Sequence, residues 1–180
     1  CLRQTVFLEW APRSTKEGFK GMHTLEEGAK LKTERPDPKG PFILDNGNEL
    51  ERTSEFYVLY REAGTDDMLK PAVISMSRTR LGEARTWNSK IDSRMHNKRR
   101  IKPIYQIWDL TTAVRKGVEG DSHVWKVGEG KLLPDVFGDD AKLIAQQAMD
   151  FQQSVIGGTK GADYTEETDV ADKEIAEEDF

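Results

Sequence analysis

Alternation of apolar and polar positions predicts several β-strands along the chain. It is clear at residues 4–10, where Val6, Leu8 and Trp10 alternate with mostly polar neighbours, the period of two expected of a strand. Further strands are predicted at 53–61, 71–76, 103–114 and 122–127, and the apolar run 42–44 precedes an Asn-Gly turn. Residues 11–41 hold no clean period. We expect a long loop there, with one helical turn near Leu25–Leu31.

Two segments have helical spacing instead. In the first, Leu81, Ala84, Ile91 and Met95 form one stripe with Trp87 at its edge, which predicts a helix over 78–91. Ser77 is a candidate cap for this helix. The second segment predicts a helix over 139–155, capped by Asp139 or Asp140 and ended by Gly157-Gly158. Its apolar stripe consists of Leu143, Ile144, Gln147, Ala148 and Phe151.

The order of these elements predicts a mainly β fold with some α. It is the order of an OB-fold-like five-stranded barrel, with a helix between strands 3 and 4 and an extra C-terminal helix. An α+β open sheet fits much of the same order and stays an alternative. We expect a nucleic-acid-binding domain over 1–158. Residues 159–180 lack a core-forming pattern, which predicts a disordered acidic tail.

Charge is distributed unevenly along the chain. The net charge is −5, but residues 161–180 hold nine acidic residues and one lysine, a local charge of −8. Residues 78–102 hold nine Lys or Arg against two acids, a local charge of +7. Asymmetry of this kind is frequent in proteins that bind nucleic acid.

Aromatic residues lie within and beside the basic segment. Non-specific binding of single strands needs cations along the phosphates and aromatic faces on which bases stack. The candidate phosphate contacts are Arg78, Arg80, Arg85, Lys90, Arg94, Lys98, Arg99, Arg100 and Lys102, and the candidate stacking residues are Tyr57, Tyr60, Trp87, Tyr105, Trp108 and Trp125. For any single residue, a place in the core or on a solvated surface is the better interpretation. The combination favours binding.

The acidic tail ends in Glu178, Asp179 and Phe180. Acidic residues alone would serve solubility. A terminal aromatic ring on a charged tether is typical of a docking peptide, in which a pocket takes the ring and basic residues take the carboxylates.

Together, the OB-like order, the basic aromatic centre and the acidic tail ending in Asp-Phe resemble bacteriophage single-stranded DNA-binding proteins. The segment Pro71–Lys90 is also similar to phage proteins of this kind. The resemblance implies largely sequence-independent binding and protection of single-stranded DNA. It also implies recruitment of replication and recombination proteins through Glu178, Asp179 and Phe180. The chain lacks the long Gly/Gln-rich linker of bacterial relatives and adds the helix at 139–155. Both departures leave the oligomeric state open, and a homo-oligomer is compatible with the sequence.

Other functions receive less support from the sequence. No phosphate-loop, dinucleotide-binding, nucleophile-elbow or HExxH motif is present, so we expect neither an enzyme nor a cofactor. The histidines are widely separated and Cys1 is the sole cysteine, so we expect no metal site. No apolar run approaches the length of a membrane span, and we expect a protein of the host-cell cytoplasm. The main alternative is a phage structural or assembly accessory protein with a basic interaction surface. A reader of duplex DNA is disfavoured because no helix-turn-helix pair is evident.

Overall fold

The computed structural model describes residues 2–158 except 13, 16, 32, 39, 63, 66, 67, 118 and 119. Strands are the main secondary structure of the described residues. They are β1 (Leu2–Trp10), β2 (Phe19–Thr24), β3 (Thr33–Glu34), β4 (Phe42–Leu44), β5 (Glu49–Tyr60), β6 (Lys70–Ser77), β7 (Met95–His96), β8 (Arg99–Arg100), β9 (Gln106–Gly117) and β10 (Gly120–Leu132). The helices are α1 (Leu25–Lys30), α2 (Leu81–Ser93), α3 (Leu133–Phe137) and α4 (Ala141–Ile156).

The described residues divide into two compact units. One, here called the sheet unit, comprises residues 5–53, and the other, the ribbon unit, comprises residues 2–4 and 54–158. The predicted tail at 159–180, with Glu178, Asp179 and Phe180, lies outside the described residues.

The strands β1 to β5 form a curled, antiparallel half-barrel in the order β2-β1-β5-β4-β3, and β6 pairs with β5. The alternation of apolar and polar residues in β1 places Val6 and Leu8 in the buried interior, as predicted. Between them, Phe7 lies against Gly28 of α1 and makes an edge contact with Phe42. In the sheet unit, helix α1 therefore packs against β1.

The prediction of a long loop over 11–41 is wrong, because this segment contains β2, α1 and β3. Strand β2 was not predicted because its side chains are only half-buried or exposed, so its sequence lacks a clear apolar pattern. The predicted helical turn near Leu25–Leu31 is confirmed as α1. A capping box begins this helix, with Thr24 accepting from the Glu27 backbone N–H and the Glu27 side chain accepting from that of Thr24.

In the ribbon unit, the core lies between β5, β6 and α2. Its buried members are Phe56, Met76, Ala84, Trp87 and Ile91. Helix α2 begins at Leu81, because Arg78–Arg80 form a 3-10 turn, and Ser77 makes no side-chain capping bond. Met95, predicted on the apolar stripe, lies beyond the helix and is exposed.

Strands β9 and β10 pair only with each other among the described residues and form a long two-stranded ribbon. The sequence predicted both strands but assigned them to the barrel. The C-terminal helix is confirmed at Ala141–Ile156 and ends at Gly157. Near the base of the ribbon, Leu133, Ala141 and Ala145 form a second small core with Ile107. Asp140 precedes α4 without a side-chain capping bond.

The predicted fold class, mainly β with an OB-like curled sheet and a C-terminal helix, is confirmed. A helix also lies between the strand at Lys70–Ser77 and the strand at Gln106–Gly117, as expected. What differs is which strands form the sheet. Within the described residues, no helix has the length and apolarity needed to cross a membrane.

Candidate nucleic-acid interface

The most basic part of the chain forms a small β-hairpin after α2. Residues 95–100, here called the basic hairpin, pair Met95 with Arg100 and His96 with Arg99. The two turn residues, Asn97 and Lys98, have positive φ angles of 49° and 62°. Positive φ at both positions identifies a type I′ turn, for which Asn-Gly is the favoured sequence. Residues 95–100 therefore form a hairpin that displays a lysine at a turn position where glycine fits best.

Three cations of this region face solvent without a resolved ionic partner in the described part of the chain. Lys98 lies at the tip of the basic hairpin, Arg99 on β8 and Lys102 just beyond it, and all three are exposed. Tyr105 follows in a 3-10 turn over Pro103–Tyr105, and its side chain is 40% exposed. The structure thus displays three cations and one aromatic ring within eight residues of chain.

Asp92 ties the basic hairpin to the end of α2. Its Oδ1 atom accepts from Arg3 Nη2 at 3.0 Å and from Arg100 Nη2 at 2.5 Å. Arg3 Nη1 also donates to Asn88 Oδ1 at 3.1 Å. The hydrogen bond from Arg3, followed by the charges of Arg3 and Arg100, lowers the pKa of Asp92 against the opposing effect of desolvation. Of the exposed cations in the basic hairpin, Arg100 is therefore the one already paired.

Gln106 anchors the segment on its other side. Its Nε2 atom donates to the carbonyl oxygens of Ile91 at 3.0 Å and Ile101 at 2.9 Å, which joins the end of α2 to the residue after the basic hairpin. The Ile101 N–H also donates to the Arg94 carbonyl at 3.1 Å. Gln106 was missed by sequence reasoning. The sequence feature that could have identified it is a polar residue at an inward-facing position of a strand whose other inward-facing residues are apolar.

The remaining predicted cations have different surroundings. Lys90 Nζ donates to the carbonyl oxygens of Val127 at 2.9 Å and Gly128 at 3.2 Å on β10. The Arg94 guanidinium lies 5.9 Å from the centroid of the Trp108 ring. Both residues therefore stabilise the ribbon unit. Arg78 is half-buried, whereas Arg80 and Arg85 are exposed at the start of α2.

The structure corrects the predicted roles of Trp87 and Tyr57. Trp87 is 1% exposed and Tyr57 is 4% exposed, so neither ring offers a face to a base. The Tyr57 hydroxyl donates to Glu55 Oε2 at 2.9 Å, and Gln4 Nε2 donates to the same oxygen at 2.7 Å. Burial and the Glu55 carboxylate raise the pKa of Tyr57. Both predicted stacking residues are instead parts of the core.

The other aromatic candidates are accessible to different degrees. Trp108 and Trp125 are half-buried and pack against the core of the ribbon unit. Trp108 lies across Gly130, where a Cβ atom would come within 2.9 Å of its ring. Tyr60 and Tyr105 are 42% and 40% exposed. Among the aromatic candidates, only these two tyrosines are exposed, and Tyr105 lies three residues from an exposed lysine.

The profile of the family described as "Pam3 phage gp34-like protein" matches residues 1–161. The chain belongs to the Pam3 phage gp34-like family. It is therefore a phage protein, as the sequence resemblance implied. The gp34-like match includes the basic hairpin, Tyr105 and the ribbon, and it ends before most of the acidic tail. Comparison with curated proteins and with solved structures gave no significant match.

Proposed function

We propose that this gp34-like phage protein binds single-stranded DNA, largely independently of sequence, through the basic hairpin and the residues that follow it. Lys98, Arg99 and Lys102 contact phosphates, and Tyr105 stacks on a base. Phosphate contacts carry no base information, and every base has a face on which an aromatic ring stacks. This combination accounts for binding without sequence preference.

The observation that carries the proposal is the conformation of Lys98. Its φ of 62° lies in the left-handed region, which costs a residue other than glycine roughly 1–2 kcal/mol. Asn97 satisfies the preference of the same turn, so a glycine at position 98 would complete its favoured sequence. Lys98 therefore occupies a position that favours glycine, and it does so within a cluster of cations. Residues that break a local structural preference in this way are expected where the side chain is needed for function.

The rest of the proposed role concerns the acidic tail. The protein protects single strands and recruits replication or recombination proteins through Glu178, Asp179 and Phe180. The support for this part is the charge of −8 over residues 161–180 and the terminal aromatic residue. A pocket lined by basic residues on a partner protein is the surface that such a peptide fits.

The test is a titration of a fluorescent oligo-dT and of a matched duplex at several salt concentrations. Wild type is expected to bind the single strand more tightly, with an affinity that falls as salt rises. Lys98→Gly removes one phosphate contact and relieves the turn. It should lower the salt slope by about 0.7 and leave thermal stability equal or higher. Lys98→Gly combined with Arg99→Gln and Lys102→Gln should lower the slope by about 2.

Lys142→Gln is the matched control, because Lys142 is exposed on α4 and its replacement removes one positive charge from a residue outside the basic hairpin. It should bind as wild type does. Absence of binding at low salt would refute the proposal. Equal losses for Lys98→Gly and Lys142→Gln would show that net charge alone, and not the basic hairpin, determines affinity.

A second function is favoured by a different feature of the same unit. The β9–β10 ribbon has unpaired outer edges in the described structure, which suits a phage structural or assembly accessory protein. In that role the basic hairpin is an interaction surface for other proteins. Oligomers that form with rising concentration and ignore added oligonucleotide, in a protein that does not bind oligo-dT, would favour this function over the first.

A further inference from the structure

His96 lies within the basic hairpin, directly opposite one of its exposed arginines. The register pairs His96 on β7 with Arg99 on β8, and both side chains are exposed. Successive side chains of a strand point to opposite faces, so His96 and Arg99 share one face of the hairpin and Met95 and Arg100 share the other. Directly opposite residues have Cβ atoms about 4.5–5.5 Å apart. One small anion can therefore contact both His96 and Arg99.

The charged side chains around His96 are mostly positive. Arg99 faces it across the hairpin and Lys98 lies between them in the turn, and none of the three side chains has a hydrogen-bond or ionic partner among the described residues. Asp92 contacts the hairpin through Arg100, on the other face. The other cations of the segment, just outside the hairpin, are Arg94 and Lys102. Like charges directly opposite each other are destabilising, so an anion between a protonated His96 and Arg99 removes a repulsion.

We propose that His96, in its protonated form, joins Arg99 in contacting a phosphate of the bound strand, so that binding at the basic hairpin takes up a proton. An unperturbed imidazole gains its positive charge between about pH 8 and pH 5, whereas a phosphodiester keeps its negative charge throughout. A hydrogen bond from the protonated ring to a phosphate oxygen is charge-assisted. The inference rests on the proposed binding of single-stranded DNA, and it makes that binding tighter as pH falls.

The other two histidines allow a matched control. His23 Nε2 lies 2.7 Å from Glu9 Oε2 in the sheet unit, so it already has a carboxylate partner. His123 is exposed on β10, outside the basic hairpin. His123→Gln therefore removes the same titrating group from an equally exposed class of position, and any effect of acid on the rest of the protein is retained in that variant.

The test measures binding of oligo-dT at about pH 5.5 and about pH 7.5, each over a series of salt concentrations, with thermal unfolding to verify the fold. Wild type is expected to bind about two- to fivefold more tightly at the lower pH, with a salt slope steeper by up to about 0.7. His96→Gln should lose most of this dependence, whereas His123→Gln should keep it. His96→Arg, which carries the charge at both pH values, should bind at the higher pH as wild type does at the lower.

Calorimetry in two buffers of different ionisation enthalpy measures the proton uptake itself. At about pH 6.5, wild type should take up part of one proton for each chain that binds, and His96→Gln should take up less. Binding by wild type that is independent of pH would overturn this inference and leave the proposed function standing, and so would equal pH dependence in wild type and His96→Gln. Absence of binding at both pH values would instead refute the proposed function, and this inference with it.

Discussion

The indole ring of Trp87 stacks on the phenyl ring of Phe56, with centroids 4.2 Å apart and ring planes inclined by 21°. Stacking and burial together place Trp87 at the centre of the ribbon unit's core, although it lies among basic residues in the sequence. The aromatic ring within the basic segment, that of Trp87, thus holds α2 against β5.

Trp87 and Tyr105 are expected to respond oppositely to substitution. Trp87→Ala should lower the free energy of unfolding by about 3–5 kcal/mol, while the protein that remains folded keeps its affinity for oligo-dT. Tyr105→Ala should leave stability nearly unchanged and weaken binding by about 1–3 kcal/mol, the contribution of one stacked base. Urea unfolding and fluorescence anisotropy measure the two quantities. If Tyr105→Ala bound oligo-dT with wild-type affinity, Tyr105 would not be a stacking residue of the proposed interface.

The contrast shows which parts of this structure the sequence predicts. Alternation identified β1, β5, β6 and both strands of the ribbon, because each places apolar side chains on at least one buried face. It missed β2, whose side chains are no more than half-buried. Spacing placed Trp87 at the edge of a helical stripe, but only the packing of α2 against β5 shows that its ring is buried.

The basic hairpin was hidden for a related reason. Its strands, β7 and β8, have two residues each and are exposed, so they leave no hydrophobic pattern. What holds them in place is a set of specific bonds from Asp92 and Gln106, and such bonds are not periodic. The cationic residues were found from the sequence, whereas their division into exposed and structural members depends on the three-dimensional fold.

Replacing Asp92 by asparagine should tighten binding to single strands. The substitution removes the carboxylate that pairs with Arg100, and within the described residues it leaves that arginine, like Lys98 and Arg99, without an ionic partner. Exposed ion pairs contribute up to about 1 kcal/mol, so a gain in affinity of about two- to fivefold is expected. Hydrogen exchange in residues 95–100 should become faster, because the link from Arg3 through Asp92 to β8 is lost. Weaker binding would show that the hairpin's position matters more than its charge.

Two helical glycines are expected to give opposite results on replacement by alanine. In α2, Gly82 has open space around the position of a Cβ atom, so Gly82→Ala should stabilise the protein by up to about 1 kcal/mol through helix propensity. In α1, a Cβ atom on Gly28 would overlap the Phe7 ring. Gly28→Ala should therefore destabilise, by about 1–3 kcal/mol, despite the same gain in propensity. Urea unfolding of both variants checks the signs, and a stabilising Gly28→Ala would contradict the packing of α1 on β1.

Glu9 is expected to make the stability of the sheet unit sensitive to acid. Its carboxylate accepts from Asn48 Nδ2 at 2.5 Å and lies 2.7 Å from His23 Nε2. The hydrogen bond from Asn48 is the main cause that lowers the pKa of Glu9, with His23 and Asn46 adding to it against desolvation. A carboxyl group with a lowered folded-state pKa contributes stability above its unfolded pKa, about 4.3. This contribution is lost as pH falls through the lower folded value.

Glu9→Gln should consequently lose stability at neutral pH and show a shallower decline below about pH 4.3. Asn48→Ala should likewise lower stability at neutral pH and make the acid decline shallower, because it removes the largest cause of the lowered pKa of Glu9. Urea unfolding at a series of pH values measures both effects. Glu26→Gln, in an exposed pair with Lys30 on α1, is the control and should follow the wild-type profile. If Glu9→Gln and Glu26→Gln gave the same profile, the Glu9–Asn48–His23 cluster would not be what links the sheet unit's stability to pH.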